Sequence, residues 1–282
     1  SLVWRRRLTN LLHGSCRKPH QPGPDGLARA DQVVADSLGD AEARPNLLLL
    51  TGDQIYADDV AMPMLATVHA LIARLGLVDE TLEGARVGDS QALYQHQDGF
   101  HRQRLLPAVE SGRALRKRFF GGVRKPIFTT ASADRHLVTF AEVIAMYLLA
   151  WSPIPWNLAE PRPPLLDATD QEQYQREARA LAAFREQMPA VARALAHLPT
   201  LMIFDDHDVT DDWNLTADWE LTAYGQPFSR RIIGNALIAY LLCQGWGNAP
   251  DRVAPLIDDA AALLSDGTGA LVMASQDALI TR

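Results

Sequence analysis

The sequence predicts an α/β layered fold. Two observations carry this: short apolar runs bounded by Pro, Gly or Asp, and segments of helical period lying between and after them. A third observation bears on function, because each apolar run leads straight into titratable or metal-competent residues.

The first run, residues 8–12, is expected to be a strand ending in His13-Gly14-Ser15-Cys16-Arg17. Runs this short fit strands of a parallel sheet covered by helices on both faces. Residues 27–38 read as a helix with Leu27, Ala30, Val34 and Leu38 on one stripe and Gly39 as its cap. Residues 47–50 form the second expected strand, entering Thr51-Gly52-Asp53-Gln54-Ile55-Tyr56. Helices follow at 60–75, 140–151 and 171–198, with Pro153, Pro155, Pro161, Pro163 and Pro164 marking an irregular loop. The third strand, 201–204, enters Asp205-Asp206-His207-Asp208, and a last helix covers 229–244. The whole of 1–282 reads as one unit, without repeats or low-complexity tracts.

Composition narrows the function. The 282 residues carry 27 Lys plus Arg against 34 acidic groups, a net charge of −7. That balance argues against a nucleic-acid coat or an anionic-membrane binder, whose affinity rests on clustered cations. A hydrophobic share of 48% excludes a mainly disordered chain. Two cysteines exclude a disulfide scaffold, and no apolar run approaches the roughly 20 residues of a membrane span. Glycine-rich phosphate loops and the Gly-x-Ser-x-Gly elbow are missing. The six basic residues within 113–125 read as a solvated face or crossing loop, and His69, His96, His101, His136 and His197 mostly as surface or helix residues. Cys243 reads as core. Arg5-Arg6-Arg7 is not followed by the apolar stretch of an export signal, so the compartment is not legible, and both ends read as cut.

In open α/β sheets, ligands bind beyond the carboxyl ends of the strands, so the three polar clusters are expected to share one pocket. Gly52 lets the chain turn sharply while Asp53 offers an anionic oxygen, and Tyr56 can return a phenolate. Gly-Asp pairs also serve in ordinary turns. Three carboxylates and an imidazole in residues 205–208 resist burial unless a cation or hydrogen bonds compensate; the plain alternative is an exposed acidic turn. Cys16 reads either as a small hydrophobe or as a thiolate favoured by Arg17 and Lys18, with Arg17 able to hold a phosphate.

Taken in order, Gly14-Ser15-Cys16, Gly52-Asp53-Gln54-Ile55-Tyr56 and Asp205-Asp206-His207-Asp208 resemble the PhoD-like (alkaline phosphatase D) metallophosphatases. The stretches 142–151 and Gly245-Trp246-Gly247-Asn248 extend the resemblance over about 8–248. It implies a metallophosphoesterase-like sandwich of mixed sheets flanked by helices. It also implies hydrolysis of small phosphomonoesters or phosphodiesters with Fe3+ and Ca2+. Cys16, Asp53 and Tyr56 would ligate the ferric ion. Asp53 would bridge to calcium, joined by Asp206 and Asp205, while His207 and Arg17 would act on the phosphate or leaving oxygen.

The sequence departs from the family in its C-terminal part. No Gly-Asp-Val-His type strand end occurs, and the last 282 − 207 = 75 residues contain no histidine. Asp208 and Asp211-Asp212-Trp213 stand where the family shows Glu and Asn-Asn-Trp. The expectation is therefore a catalytic domain incomplete at its C-terminus, hydrolysing phosphoesters poorly or not at all, with apolar surface bared around 237–242 and Leu263-Leu264. Two rivals are a non-catalytic calcium-binding module of the same fold and another metal-dependent hydrolase, acting on diesters or lipid headgroups.

Overall fold

A computed structural model describes residues 6–107, 127–128, 133–264 and 270–271. The basic run at 113–125 and the two chain ends lie outside these residues.

Strands β1 (Leu11–Gly14), β2 (Leu47–Thr51) and β4 (Thr200–Ile203) form a parallel sheet in the order β1-β2-β4. A separate parallel pair joins β3 (Asp79–Glu80) to β5 (Ala270–Leu271). The chain is thus α/β, with helix predominating. β1 starts three residues later than the apolar run suggested. The Asn46 side chain accepts from the amides of Thr9 and Asn10, at 3.1 and 2.9 Å, and holds them off the ladder. At the other edge, the Asn248 amide bonds both the N–H and the carbonyl of Met202.

Register explains the faces. Leu12 pairs with Leu48, Leu48 with Thr200 and Leu50 with Met202, which aligns one apolar face over the core. Leu48 and Leu50 are buried there. The opposite face presents Leu11 at 42%, Leu201 at 41% and Ile203 at 52% exposure. The expectation of strands covered on both faces is therefore corrected: among the described residues the sheet has one covered face. The apolar surface foreseen at 237–242 is corrected with it, since Ile238 and Ala239 are core residues with Leu237 and Leu242 packed alongside. The Leu263 and Leu264 side chains fall outside the described set.

Helix α1 (Gly26–Asp36) begins at Asp25, which caps the Leu27 amide. It ends at Ser37, whose Oγ bonds the Val33 carbonyl, so Gly39 lies beyond the cap. α2 (Met62–Leu75) starts with Pro63 in its first turn and closes on Gly76 at φ 62°, the left-handed cap that glycine adopts without strain. α3 is short (Ser90–Gln95). α4 (Phe140–Trp151) is set by a Thr139–Glu142 capping box. The proline-rich stretch expected as loop contains a short helix, α5 (Ile154–Leu158). α6 (Ala168–His197) runs about 45 Å at 1.5 Å per residue, burying Tyr174, Leu181, Phe184, Met188, Val191 and Ala194 on one stripe. α7 (Ala217–Tyr224) leads to α8 (Pro227–Tyr240), which passes through a π-helical turn, Leu241–Gly245, before α9 (Pro250–Leu264).

The main core lies between the covered sheet face and α1, α2, α4 and α6. A second cluster gathers around Phe128, Val138, Phe228, Ile232 and Ile233. Together these hold the carboxyl ends of all three strands side by side.

Candidate metal centre

The backbone at the strand ends is unusual before any side chain is considered. Cys16 and Asp53 adopt positive φ, 57° and 52°, without being glycines. They are stapled together: the Cys16 amide donates to the Gly52 carbonyl at 3.2 Å, and the Arg17 amide to the Asp53 carbonyl at 2.9 Å. The segment after β4 is tied in by Asp208. Its Oδ1 accepts from the Ile55 amide at 3.0 Å and its Oδ2 from the Asp205 amide at 3.1 Å. One buried carboxylate thus clamps the loops of β2 and β4.

These turns bring Asp53, Asp205 and Asp206 together, with one carboxylate oxygen from each lying within 4.8 Å of the others. Asp53 is 5% exposed, its Oδ1 has no hydrogen-bond partner, and its Oδ2 accepts from the Cys16 thiol at 3.2 Å. Burial raises the Asp53 carboxyl above its ordinary range; Asp205 and Asp206 add to the rise, and Cys16 and His207 oppose it. Burial raises the Tyr56 hydroxyl well above its ordinary range, and its neighbours Asp53 and Cys16 add to the rise. Its ring stacks on His207 with centroids 4.6 Å apart. Four residues singled out in the sequence, Cys16, Asp53, Asp205 and Asp206, therefore meet here, and Tyr56 is joined to them through its stack on His207.

His207 follows Asp206 directly and is tied to the β2 loop. Its Nδ1 bonds Asp58 Oδ2 at 2.8 Å, and Asp58 is fully buried. That hydrogen bond, against the cost of burial, lifts the imidazole to about 9. Burial pushes Asp208 up to about 7, although backbone amides favour its anion. Arg17 is placed differently. Its guanidinium bonds Asp25 through two nitrogens at 2.6 to 3.1 Å, bonds the Ala150 carbonyl, and lies 4.6 Å above the Phe184 ring. Those bonds anchor the β1 loop to α1, α4 and α6.

Asp58 and Asp208 are the participants that sequence reasoning passed over as site residues. The available signal was a second acidic pair, Asp58-Asp59, directly after the Tyr56 motif. Among the remaining histidines, His69 lies in α2 as a helix residue, while His136 is fully buried rather than at the surface; burial lowers both. Cys243 packs against the core, and burial pushes its thiol up to about 12. Comparison with family models, curated proteins and solved structures finds no match to this chain.

Proposed function

We propose that the chain is a metal-dependent phosphoester hydrolase of the PhoD-like type, built on a metallophosphoesterase-like sandwich. The carrying observation is Asp53, whose buried Oδ1 is an acceptor with no donor and whose carboxylate belongs to a group of three. Such crowding is costly unless positive charge compensates it. The donor set fits metal. Thiol, phenol and carboxyl donors suit a ferric ion, so Cys16, Tyr56 and Asp53 would hold it. Carboxylates alone suit calcium, which Asp53, Asp205 and Asp206 would hold. When bound, cations here supply charge that binds phosphate oxygens and offsets the charge built up in an in-line displacement.

The chain's own residues support the same chemistry. Asp58 orients His207 through Nδ1, and a hydrogen bond from Nδ1–H to Asp58 would leave the other ring nitrogen for a phosphate or leaving oxygen. Arg17 positions the Cys16 loop through Asp25 and Phe184. The open apolar face of the sheet is the kind of surface on which a second layer packs in a sandwich.

A calcium-binding reading without turnover has one observation in its favour: among the described residues, no histidine or cysteine joins the three carboxylates within 4.8 Å. Metal analysis of the purified chain and of Asp53→Asn, with parallel assays on aryl phosphate mono- and diesters, separates the readings. Iron plus calcium, lost together in Asp53→Asn along with hydrolysis, is the expected result. Calcium alone without turnover moves the site to the second reading, and no bound metal overturns both.

A further inference from the structure

A cavity of about 440 Å3 lies between the β1 loop, α1 and α6, on the covered side of the sheet. Leu12, Leu48, Leu50 and Phe184 give it an apolar wall. Cys16 lines it too, and the Cys16 thiol lies 3.2 Å from Asp53 Oδ2, so the cavity adjoins the proposed metal centre.

Its charged groups cancel in pairs, with one left over. Asp25 is the acid of the lining, and its carboxylate is taken by Arg17 and by the Leu27 amide. Lys18 is paired with Asp59. Arg29 also lines the cavity, is exposed to solvent, and has no acid partner among the described residues. The acids nearest to it in the chain are both engaged, Asp25 as above and Asp31 with Arg193 at 2.8 Å. Gln21 and Ser15 line the cavity as exposed, neutral donors. A free guanidinium and two neutral donors beside an apolar wall match an anionic group on an apolar body. One cation balances a carboxylate, whose two oxygens fit the guanidinium fork, better than it balances a second phosphate of nearly double charge. The volume suits a single ring or a short chain.

We infer that this cavity seats the alcohol side of the ester and that Arg29 sets its specificity, so that the preferred substrates are phosphoesters of short, apolar-bodied hydroxy acids whose carboxylate pairs with Arg29. That the ligand is an ester rests on the phosphoester reading; binding of the free hydroxy acid does not, since it needs no metal.

The probes are 4-(hydroxymethyl)benzoate and its neutral counterpart 4-(hydroxymethyl)benzamide, titrated by calorimetry against metal-loaded and chelator-treated protein. The phosphate esters of both are assayed for hydrolysis. In the metal-free protein the acid should bind about fivefold more tightly than the amide at low salt, and the gap should close at about 0.5 M salt. Arg29 is an exposed helical position where glutamine has a similar propensity, so Arg29→Gln should keep α1 and bring the two probes within about twofold, with Arg29→Lys in between. The same order should appear in kcat/KM for the two esters, carried by KM. Calcium binding should be unchanged in both variants, which reports that the acidic cluster is intact. Equal affinity for acid and amide in the unaltered protein, a preference that survives Arg29→Gln, or one that needs metal overturns the inference. An Arg29-dependent preference in a protein that hydrolyses neither ester counts against the phosphoester reading alone.

Discussion

A Cβ added at Gly52 would stand 2.5 Å from the Asp205 Cβ and 3.2 Å from its Oδ2. Gly52 also holds φ at 120°, where side chains are strained whatever the space. Two independent constraints thus require glycine between the β2 and β4 ends. Gly52→Ala is expected to lower stability by about 2 kcal/mol or more. It should also push Asp205 away from Asp53, so calcium affinity should fall further than the loss of stability explains. Urea midpoints and calcium titration measure the two effects separately; an alanine variant that binds calcium normally would break the link.

Asp208 makes a second, separable prediction. Replacing it with alanine strands the Ile55 and Asp205 amides, which are bonded to its two oxygens. The buried Ile55 amide left unsatisfied costs on the order of 1–3 kcal/mol, and the part-buried Asp205 amide less. Asp208→Asn keeps one acceptor and should be milder. Denaturation curves for the two variants should rank unaltered chain, Asn, Ala, and an alanine variant as stable as the unaltered chain would show that the loops are held by something else.

The proposed thiol and phenol ligands would give a bound ferric ion an optical signature. Cys16→Ser should remove the purple or brown colour expected of ferric ion bound by thiolate and phenolate, and Tyr56→Phe should shift it while leaving calcium in place. Absorbance spectra and metal content, read together, decide this. An unchanged spectrum in Cys16→Ser removes Cys16 from the ligand set.

The site was more legible in the sequence than the layers around it. Cys16, Asp53 and Asp205 sit within a few residues of short apolar runs, and a strand's carboxyl end fixes where such residues go. Their convergence follows from three parallel strands. The run at residues 8–12 misplaced its strand because Asn46, far along the chain, captures Thr9 and Asn10. Asp58 was not legible as a partner of His207, because the hydrogen bond spans 149 residues. The open sheet face was equally hidden, since alternate Leu and Ile positions look alike whether covered or bare.

That face supports a direct test. Leu201 and Ile203 are half-exposed on edge strand β4. Leu201→Thr combined with Ile203→Thr keeps a side chain tolerated in strands and removes apolar surface from solvent. Binding of a hydrophobic dye should fall, and stability should move by no more than about 0.5 kcal/mol per site. A loss of several kcal/mol would mean that the face is packed.

Glu142 and Arg102 form a fully buried pair bonded at 2.6 and 3.0 Å, with His69 Nε2 at 2.7 Å from the same carboxylate. The amides of Val138 and Thr139 also donate to Glu142. Burial alone would raise this carboxyl; the Arg102 charge, the His69 bond and the Arg102 bonds outweigh it and hold it well below its ordinary value. Burial keeps His69 neutral more readily, so its Nε2–H donates and the ionised carboxylate accepts. The folded carboxyl therefore ionises at lower pH than the unfolded one, whose value is near 4.5. Between those two values the unfolded chain binds more protons, so stability rises with pH there. The contribution is complete above roughly pH 5.5 and drains away as pH falls through the folded value. Glu142→Gln leaves the Arg102 charge buried without its partner and is expected to cost about 3–5 kcal/mol at pH 7. The stability difference between the unaltered chain and Glu142→Gln should be flat from pH 6 to 8 and shrink below about pH 4.5. Joint replacement by Arg102→Met and Glu142→Met should cost less than the two single changes added together, because neither charge is then stranded. Urea unfolding across that pH range measures all of this, and a difference that grows on acidification would contradict the ionised pair.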